Sequence, residues 1–144
     1  MKKNLFLCLL FTVLILSLMG CQSASSNLNS AGELTKVSVY HAEGFGENSS
    51  GSFVATYESE NHQEELALFH RLPIEAVEQE GIADIEKPHF NVEMHHENGE
   101  FEVFHLWIGG QGHKSSLMNV TNTHTVYFLS AELTSELITV LQQE

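Results

Sequence analysis

Cysteine is almost absent from this sequence. Of its 144 residues only Cys8 and Cys21 are cysteines, and both lie at the N-terminal end. The rest of the chain therefore has no thiol for an internal disulfide, for a cysteine-type zinc site or for a cysteine nucleophile. A domain formed after Cys21 must be stable without covalent cross-links.

Positive charge is also scarce. Six lysine and arginine residues stand against 19 aspartate and glutamate residues, which gives a formal net charge of −13. A surface this acidic repels phosphate backbones and anionic lipid headgroups, so we expect no nucleic-acid partner. The charge is typical of a solvated, self-repelling surface on an exported protein, and a docking face for a basic partner or a cation is the alternative.

The N-terminal segment has the layout of a bacterial lipoprotein signal. Lys2 and Lys3 precede an apolar run over residues 5–18, which closes on Gly20 and Cys21. The run has secretory length and is shorter than the roughly 20 apolar residues that a membrane-spanning helix needs. A cysteine directly after a small residue resembles the lipobox, whose cysteine receives a diacylglyceryl group and becomes the first mature residue.

These features predict three segments. Residues 1–20 are the expected signal peptide, residues 21–33 hold the lipidated Cys21 and a flexible tether, and residues 34–144 form one domain. The mature chain has the size of a single domain with one core. We expect it on the extracytoplasmic face of the cell membrane, with the acyl chains as its membrane contact.

The spacing of apolar residues over 34–144 predicts an α+β domain. Two β-prone runs open it, a hairpin centred on Asn98 and Gly99 follows, and a second hairpin runs from Leu117 to Leu129. One helix lies between these strand pairs and another ends the chain. The expected order is β-β-α-β-β-β-β-α, with a mostly antiparallel sheet of about six strands and both helices packed on one face.

Both helices have recognisable starts. The first is predicted to begin at an Asn61 cap and the second at a Ser130 cap. Pro73 cannot continue the helical hydrogen-bond ladder, so we expect the first helix to kink or restart there. Its apolar face should then continue through Val77 until Gly81 ends it.

The hairpin centred on Asn98-Gly99 has the clearest local signal. These two residues are the preferred two-residue hairpin turn, which would set His96 opposite Phe101 and Val92 opposite His105. One face of the hairpin would then be nearly all apolar. The other would be polar toward the turn, which suits a sheet with helices over one side.

Nine histidines in an acidic, exported chain raise the hypothesis of a divalent-metal site. In the predicted register His95 lies beside Glu93 and directly opposite Glu102, so these three side chains are the expected ligands of an exposed, weak site. His96 and His105 fall on different rungs and cannot share an ion. Surface and core-edge histidines without a metal are the alternative, and no resident cofactor is expected.

No catalytic signature is present in the sequence. The run from Gly109 to Ser115 is similar to a phosphate-binding loop, but His113 stands where the Walker pattern needs glycine, and a strand is predicted where the pattern needs a helix. Ser115 and Ser116 lack a nucleophile elbow. We therefore expect no enzymatic activity.

Landmarks spread over residues 61–130 resemble one known family. In chain order they are Gly81-Ile82-Ala83-Asp84, Pro88-His89-Phe90, Leu106-Trp107-Ile108, Leu117-Met118-Asn119 and the run from Thr125 to Ser130. The stretch is similar to the YhfM-like domain of small, largely uncharacterised lipoproteins of Bacillus-type bacteria. The resemblance implies a fold and an envelope location, and it implies no catalytic or ligand-binding residues.

The expected function is binding. A lipid anchor, a tether and one domain without catalytic motifs favour a non-enzymatic binding or accessory module of the cell envelope, with an envelope protein or a small ligand as its partner. A lipoprotein that binds divalent metal weakly is the alternative. Phe90, Met94, Phe101 and Trp107 would form core under the helices or line a pocket for an apolar ligand.

Cys21→Ala should abolish acylation and release or mislocalise the chain, because Cys21 is the predicted attachment site of the lipid. The measurement is metabolic labelling with a fatty acid, followed by fractionation of cells that express the wild type or the variant. Cys8→Ala is the matched control, since Cys8 lies inside the predicted signal peptide. Retention of Cys21→Ala in salt-washed membranes would contradict this anchoring account.

Overall fold

The computed structural model describes residues 32–46, 50–80 and 85–142. The predicted signal peptide, Cys21, most of the tether and the Gly81-Ile82-Ala83-Asp84 landmark lie outside these residues. The described elements are β1 (Leu34–Ala42), β2 (Ser50–Glu58), α1 (Gln63–Glu75), β3 (Val77–Glu78), β4 (Phe90–His96), β5 (Phe101–Trp107), β6 (Ser115–Asn119), β7 (Tyr127–Leu129) and α2 (Ala131–Leu141).

The described strands form one antiparallel sheet in the order β2-β1-β4-β5-β6-β7-β3. This confirms the predicted α+β class with two helices. The sheet has seven strands instead of about six, because the segment after α1 forms the short strand β3. Neither described helix is long and apolar enough to cross a membrane.

The end of α1 differs from the prediction. The helix includes Pro73 and ends at Glu75, where Ala76 takes an extended backbone conformation. Val77 then pairs with Phe128 on β7 and does not continue the helix. Pro73 has no N–H to donate to the Phe69 carbonyl oxygen, so the last turn of α1 lacks one ladder hydrogen bond, and the helix ends two residues later.

Both helices pack on the same face of the sheet, where the core lies. Phe69 and Leu72 of α1 and Leu133 and Leu137 of α2 are inaccessible to solvent. Burying side chains of this size contributes about 1.5–3 kcal/mol each. Their partners are alternate residues of the strands, including Val37, Val39, Val92, Met94, Phe104, Leu106, Leu117 and Leu129.

The predicted register of the β4–β5 hairpin is wrong by one residue. The turn contains three residues, because His96 N–H donates to Glu100 O (2.9 Å) and Gly99 N–H donates to His96 O (3.0 Å). Gly99 has φ +84°, the left-handed conformation that glycine accepts without a steric penalty. This is the three-residue loop in which a left-handed residue follows a type I turn.

The shift changes every pair in the hairpin. His95 lies opposite Phe101, and Asn91 lies opposite His105. Asn98 supports the turn through its side chain, whose Oδ1 accepts the Glu100 N–H at 2.9 Å. Asn-Gly suits both turn lengths, so the dipeptide alone does not decide between the two registers.

Of the two predicted helix caps, one is confirmed and the other is wrong. Ser130 is the N-cap of α2, and its Oγ accepts the Leu133 N–H at 3.1 Å. The N-cap of α1 is His62 instead of Asn61, and no side-chain hydrogen bond caps this helix. His62 Nδ1 instead accepts the backbone N–H of Glu58 at 3.3 Å, which ties the helix start to the end of β2.

Ser130→Ala should lower the free energy of unfolding by about 1 kcal/mol, because the Leu133 N–H loses its capping acceptor. Asn61→Ala is the matched control and should change stability by less than about 0.5 kcal/mol, since Asn61 caps no helix in the structure. Urea unfolding of a chain that begins at residue 22 measures both. Equal losses in the two variants would contradict the cap assignment.

Candidate functional site

The face of the sheet opposite the helices is the candidate functional site, and it is termed the open face. Side chains alternate between the two faces of a sheet, so the strand pairing decides which residues lie here. The described part of the β1–β2 loop, residues 43–46, lies over one part of it. The open face includes Tyr40, Phe53, Asn91, Glu93, His95, Phe101, Val103, His105 and Trp107.

Exposed aromatic rings distinguish this region. Phe53 of β2 is 60% exposed, Phe101 of β5 is 64% exposed, and Phe45 of the covering loop is 52% exposed. The other large apolar side chains with comparable exposure in the described chain, Ile74 and Val77, lie at the end of α1 and on β3. A phenylalanine left in water forgoes the free energy of burial, and several exposed rings on one face of a sheet favour an interaction surface.

Neighbouring rings hold two of these phenylalanines in place. Phe53 contacts Tyr40 edge to face, with ring centroids 5.9 Å apart. Phe101 stacks on the imidazole of His95 at 5.8 Å. Aromatic pairs of this geometry contribute about 0.5–1.5 kcal/mol beyond area burial, so these contacts favour the observed positions of the two exposed rings on the open face.

The structure does not bring the three predicted metal ligands together. Glu93 and His95 both lie on the open face, with Glu93 Oε2 3.9 Å from His95 Nε2. Glu102 lies opposite Met94, so its side chain turns toward the helix-bearing face. The register error explains the separation, and the described residues contain no group of three His, Cys, Asp or Glu side chains arranged to hold a metal ion.

The same error of register concerns the large apolar side chains of the hairpin, which do not share the face that was predicted for them. Met94 is fully buried in the core and Phe90 packs against it, whereas Phe101 and Trp107 lie on the open face. The predicted single apolar face of the hairpin is therefore divided between the two sides of the sheet. The prediction that these four side chains form core under the helices holds for Phe90 and Met94 only, and the alternative of one pocket lined by all four is excluded because they lie on opposite faces.

A hydrogen-bond chain centred on the buried pair His105 and Asn91 ties Gly46 of the β1–β2 loop to the open face. Gly46 N–H donates to His105 Nε2 at 3.1 Å. Because Nε2 accepts this bond, the imidazole proton is on Nδ1, which donates to Asn91 Oδ1 at 2.7 Å. The Asn91 side-chain amide then donates to Ser50 Oγ at 3.3 Å, at the start of β2. Burial lowers the pKa of His105, which stabilises the neutral form that this chain requires.

A second buried histidine lies on the helix-bearing face. His96 Nδ1 is 3.3 Å from the backbone oxygen of Gly32, so Nδ1 donates to that oxygen, and in the neutral ring Nε2 has a free lone pair. That nitrogen faces Glu102 Oε2 at 3.5 Å, and neither atom has another hydrogen-bond partner in the described structure. Burial raises the pKa of Glu102.

Two of the clefts in the described part of the chain adjoin the sheet. The larger, of about 680 Å³, lies between the start of β1 and the first turns of α1 and includes Glu33, Gln63 and His70 in its lining. None of the buried polar side chains of the described residues lines it. The smaller, of about 320 Å³, adjoins the open face and is lined by Glu93, Phe101, Glu102, Val103, Asn119, Val120 and Thr121.

The glycine-rich run before β6 has a structural role. Ser115 Oγ accepts the Gly109 N–H at 3.0 Å and the hydroxyl proton of Thr134 at 2.9 Å. These bonds close the β5–β6 loop and join it to α2. The interpretation of this run as a strand connection agrees with that geometry.

The Asn91–His105 chain was not predicted from the sequence. In the expected register His105 lay opposite Val92, so nothing connected it with an amide. A three-residue turn would have placed Asn91 opposite His105 and Glu93 opposite Val103. The role of Gly46 depends on how the loop folds back over the sheet, which no local pattern indicates.

Comparison with known proteins identifies a family whose model covers most of the elements described above. The family model described as YhfM protein matches residues 56–144, from within β2 to the end of the chain. The match contains β4, β5 and both helices, while β1 and the covering loop precede it. No curated protein and no solved structure matches the chain.

Glu102→Gln should raise the free energy of unfolding at pH 8 by about 1 kcal/mol, since the amide carries no buried charge and offers His96 Nε2 a donor. Because burial raises the pKa of Glu102, the ionised wild-type carboxylate costs stability at high pH. The difference should shrink as the pH falls and wild-type Glu102 becomes protonated. Urea unfolding at pH 8 and pH 5 measures it.

Glu93→Gln is the control for this experiment, because Glu93 is a partly exposed carboxylate on the other face of the same hairpin. Its effect should stay within about 0.5 kcal/mol at both pH values. A Glu102→Gln variant less stable than wild type at pH 8 would show that the charged carboxylate stabilises the fold.

Proposed function

The chain belongs to the YhfM family, and we propose that it is a non-enzymatic binding module, anchored through a lipid on Cys21 to the extracytoplasmic face of the cell membrane. The lipoprotein signal supports the anchor, because a basic start, an apolar run and Gly20-Cys21 occur in the required order. The proposed binding surface is the open face.

The exposed aromatic rings of the open face are the observation that carries this proposal. Phe53 and Phe101 lie three strands apart and four residues apart along the strands, a separation of about 20 Å from standard sheet spacings. One small ligand cannot contact both rings. A polypeptide surface can, and aromatic side chains are enriched at protein–protein interfaces.

The charge of the chain indicates the chemistry of the partner. The sequence has a net charge of −13, and Glu93 lies on the open face between the two exposed rings. An acidic partner would be repelled, whereas a basic one would be steered to this surface. The proposed partner is therefore an envelope protein with net positive charge and an apolar patch.

The double variant Phe53→Ser, Phe101→Ser should reduce partner capture about ten-fold or more, since buried aromatic anchors dominate interface energies. The measurement is crosslinking in the native membrane, purification of the chain, and quantitative mass spectrometry of the co-purified proteins. Proteins that disappear specifically with the double variant should have a basic sequence, and their capture should weaken in high salt.

The double variant Ile74→Ser, Val77→Ser is the matched control. It removes two equally exposed apolar side chains that lie at the end of α1 and on β3, away from the open face. Equal capture by the wild type and the phenylalanine variant would contradict the proposal, as would an equal loss in both double variants.

A further inference from the structure

His96 and Glu102 form a buried polar pair on the side of the sheet opposite the proposed binding surface. Glu102 of β5 pairs with Met94, and His96 is two residues farther along β4, so the two side chains are diagonal neighbours on one face. His96 is only 3% exposed, and both His96 Nε2 and Glu102 Oε2 are buried. These two atoms are 3.5 Å apart, in a part of the fold where unsatisfied polar groups are costly.

The contact between the two atoms is longer than an ordinary hydrogen bond. An N–H···O bond in proteins usually spans about 2.7–3.2 Å, and neither atom has another hydrogen-bond partner in the described structure. Because His96 Nδ1 donates to the Gly32 carbonyl oxygen, the neutral ring presents a lone pair to the carboxylate. Buried polar atoms are almost always satisfied, so an ion bound between these two electron-pair donors would explain the arrangement.

The distance between the two atoms fits two ligands of one metal ion. Zinc binds an imidazole nitrogen at about 2.0–2.1 Å and a carboxylate oxygen at about 2.0–2.2 Å. With a tetrahedral angle between the two bonds, these lengths place the ligand atoms about 3.3–3.5 Å apart. His96 Nε2 and Glu102 Oε2 have this separation, so the pair presents two zinc ligands with little change in position.

Both side chains also have the outer hydrogen bonds that orient metal ligands. A ligating imidazole usually donates its other N–H to a carboxylate or a backbone carbonyl, as His96 Nδ1 does to the Gly32 oxygen at 3.3 Å. A ligating carboxylate is usually hydrogen-bonded as well, and Glu102 Oε1 accepts from Asn119 Nδ2 at 3.5 Å. These bonds leave His96 Nε2 and Glu102 Oε2 directed at each other.

A divalent cation would also balance the charge of the pair. No lysine or arginine of the described chain forms an ion pair with Glu102, so beside neutral His96 its carboxylate is a partly buried charge without compensation. Glu102 and Asn119 both line the smaller cleft, of about 320 Å³, which gives an ion and water a path to the pair. Water would supply the other ligands, since the described residues contain no group of three metal-ligating side chains.

We propose that His96 Nε2 and Glu102 Oε2 bind one divalent transition-metal ion of the zinc class, with water as the remaining ligands. An imidazole nitrogen together with a carboxylate oxygen suits zinc, whereas calcium and magnesium prefer sites made of oxygen alone. The ion would join β4 to β5 and, through Gly32, to the residues just before β1. The site lies on the helix-bearing face, so it is independent of the proposed function of the open face.

Isothermal titration calorimetry with zinc chloride at pH 7.5 tests the proposal. The protein is the full chain in detergent, carrying Cys8→Ser and Cys21→Ser so that no thiol competes for zinc; this is the background chain. We expect one ion per chain with a Kd of about 10 μM, because two protein ligands bind zinc more weakly than the three or four of most zinc sites. Adding His96→Gln or Glu102→Gln should weaken binding about ten-fold or more.

Glu93→Gln and His95→Gln are the matched controls. These two residues form the corresponding histidine–carboxylate pair on the open face, with Glu93 Oε2 3.9 Å from His95 Nε2. Each control should bind zinc like the background chain. A Kd weaker than about 100 μM for the background chain, or unchanged binding by Glu102→Gln, would overturn the site. A loss of binding confined to the two controls would place the ion on the open face and would overturn it as well.

Thermal unfolding distinguishes loss of the site from loss of the fold. Saturating zinc should raise the Tm of the background chain by about 5 °C or more, since an ion that binds only the folded state stabilises it. Glu102→Gln should still unfold cooperatively, with a Tm that zinc does not change. An equal rise of the Tm in Glu102→Gln would contradict the proposed ligands.

Discussion

The turn between β4 and β5 fixes the pairing of the two central strands. One hydrogen bond from the Gly99 N–H to the His96 carbonyl oxygen, together with the left-handed Gly99, makes this turn three residues long. Because side chains alternate along a strand, a turn one residue shorter would move each β5 side chain to the opposite face. The positions of both buried histidines depend on this turn.

The histidines on the two faces of the hairpin differ in how their ring nitrogens are hydrogen-bonded. On the open face His105 has a partner for each ring nitrogen, and its surroundings favour the neutral form. On the helix-bearing face His96 has one partner, and its second nitrogen faces a carboxylate whose pKa burial raises. A satisfied polar network specifies a structure, whereas a half-satisfied one costs stability, so the pair His96 and Glu102 is the candidate for a stabilising mutation.

Fold class and element order were predictable because they depend on local apolar spacing and on caps such as Ser130, whose hydroxyl capping bond is local. The register was not predictable, because Asn98-Gly99 is compatible with turns of two and three residues. This error of register separates the three predicted metal ligands: Glu93 and His95 lie together, and Glu102 lies on the other side of the sheet. The hydrogen bond from Gly46 to His105 joins residues 59 positions apart in the sequence, so no local pattern predicts it.

Acidification should affect the two faces in opposite directions. The pKa of His105 is lowered in the fold, so the stability that its neutral form contributes is complete above its unfolded value of about 6.5 and is lost as the pH falls. The pKa of Glu102 is raised, so its protonation on acidification relieves a cost to the folded state. Falling pH therefore weakens the hydrogen bond from Gly46 to His105 on the open face, while it eases the burial of Glu102 on the face that contains the core.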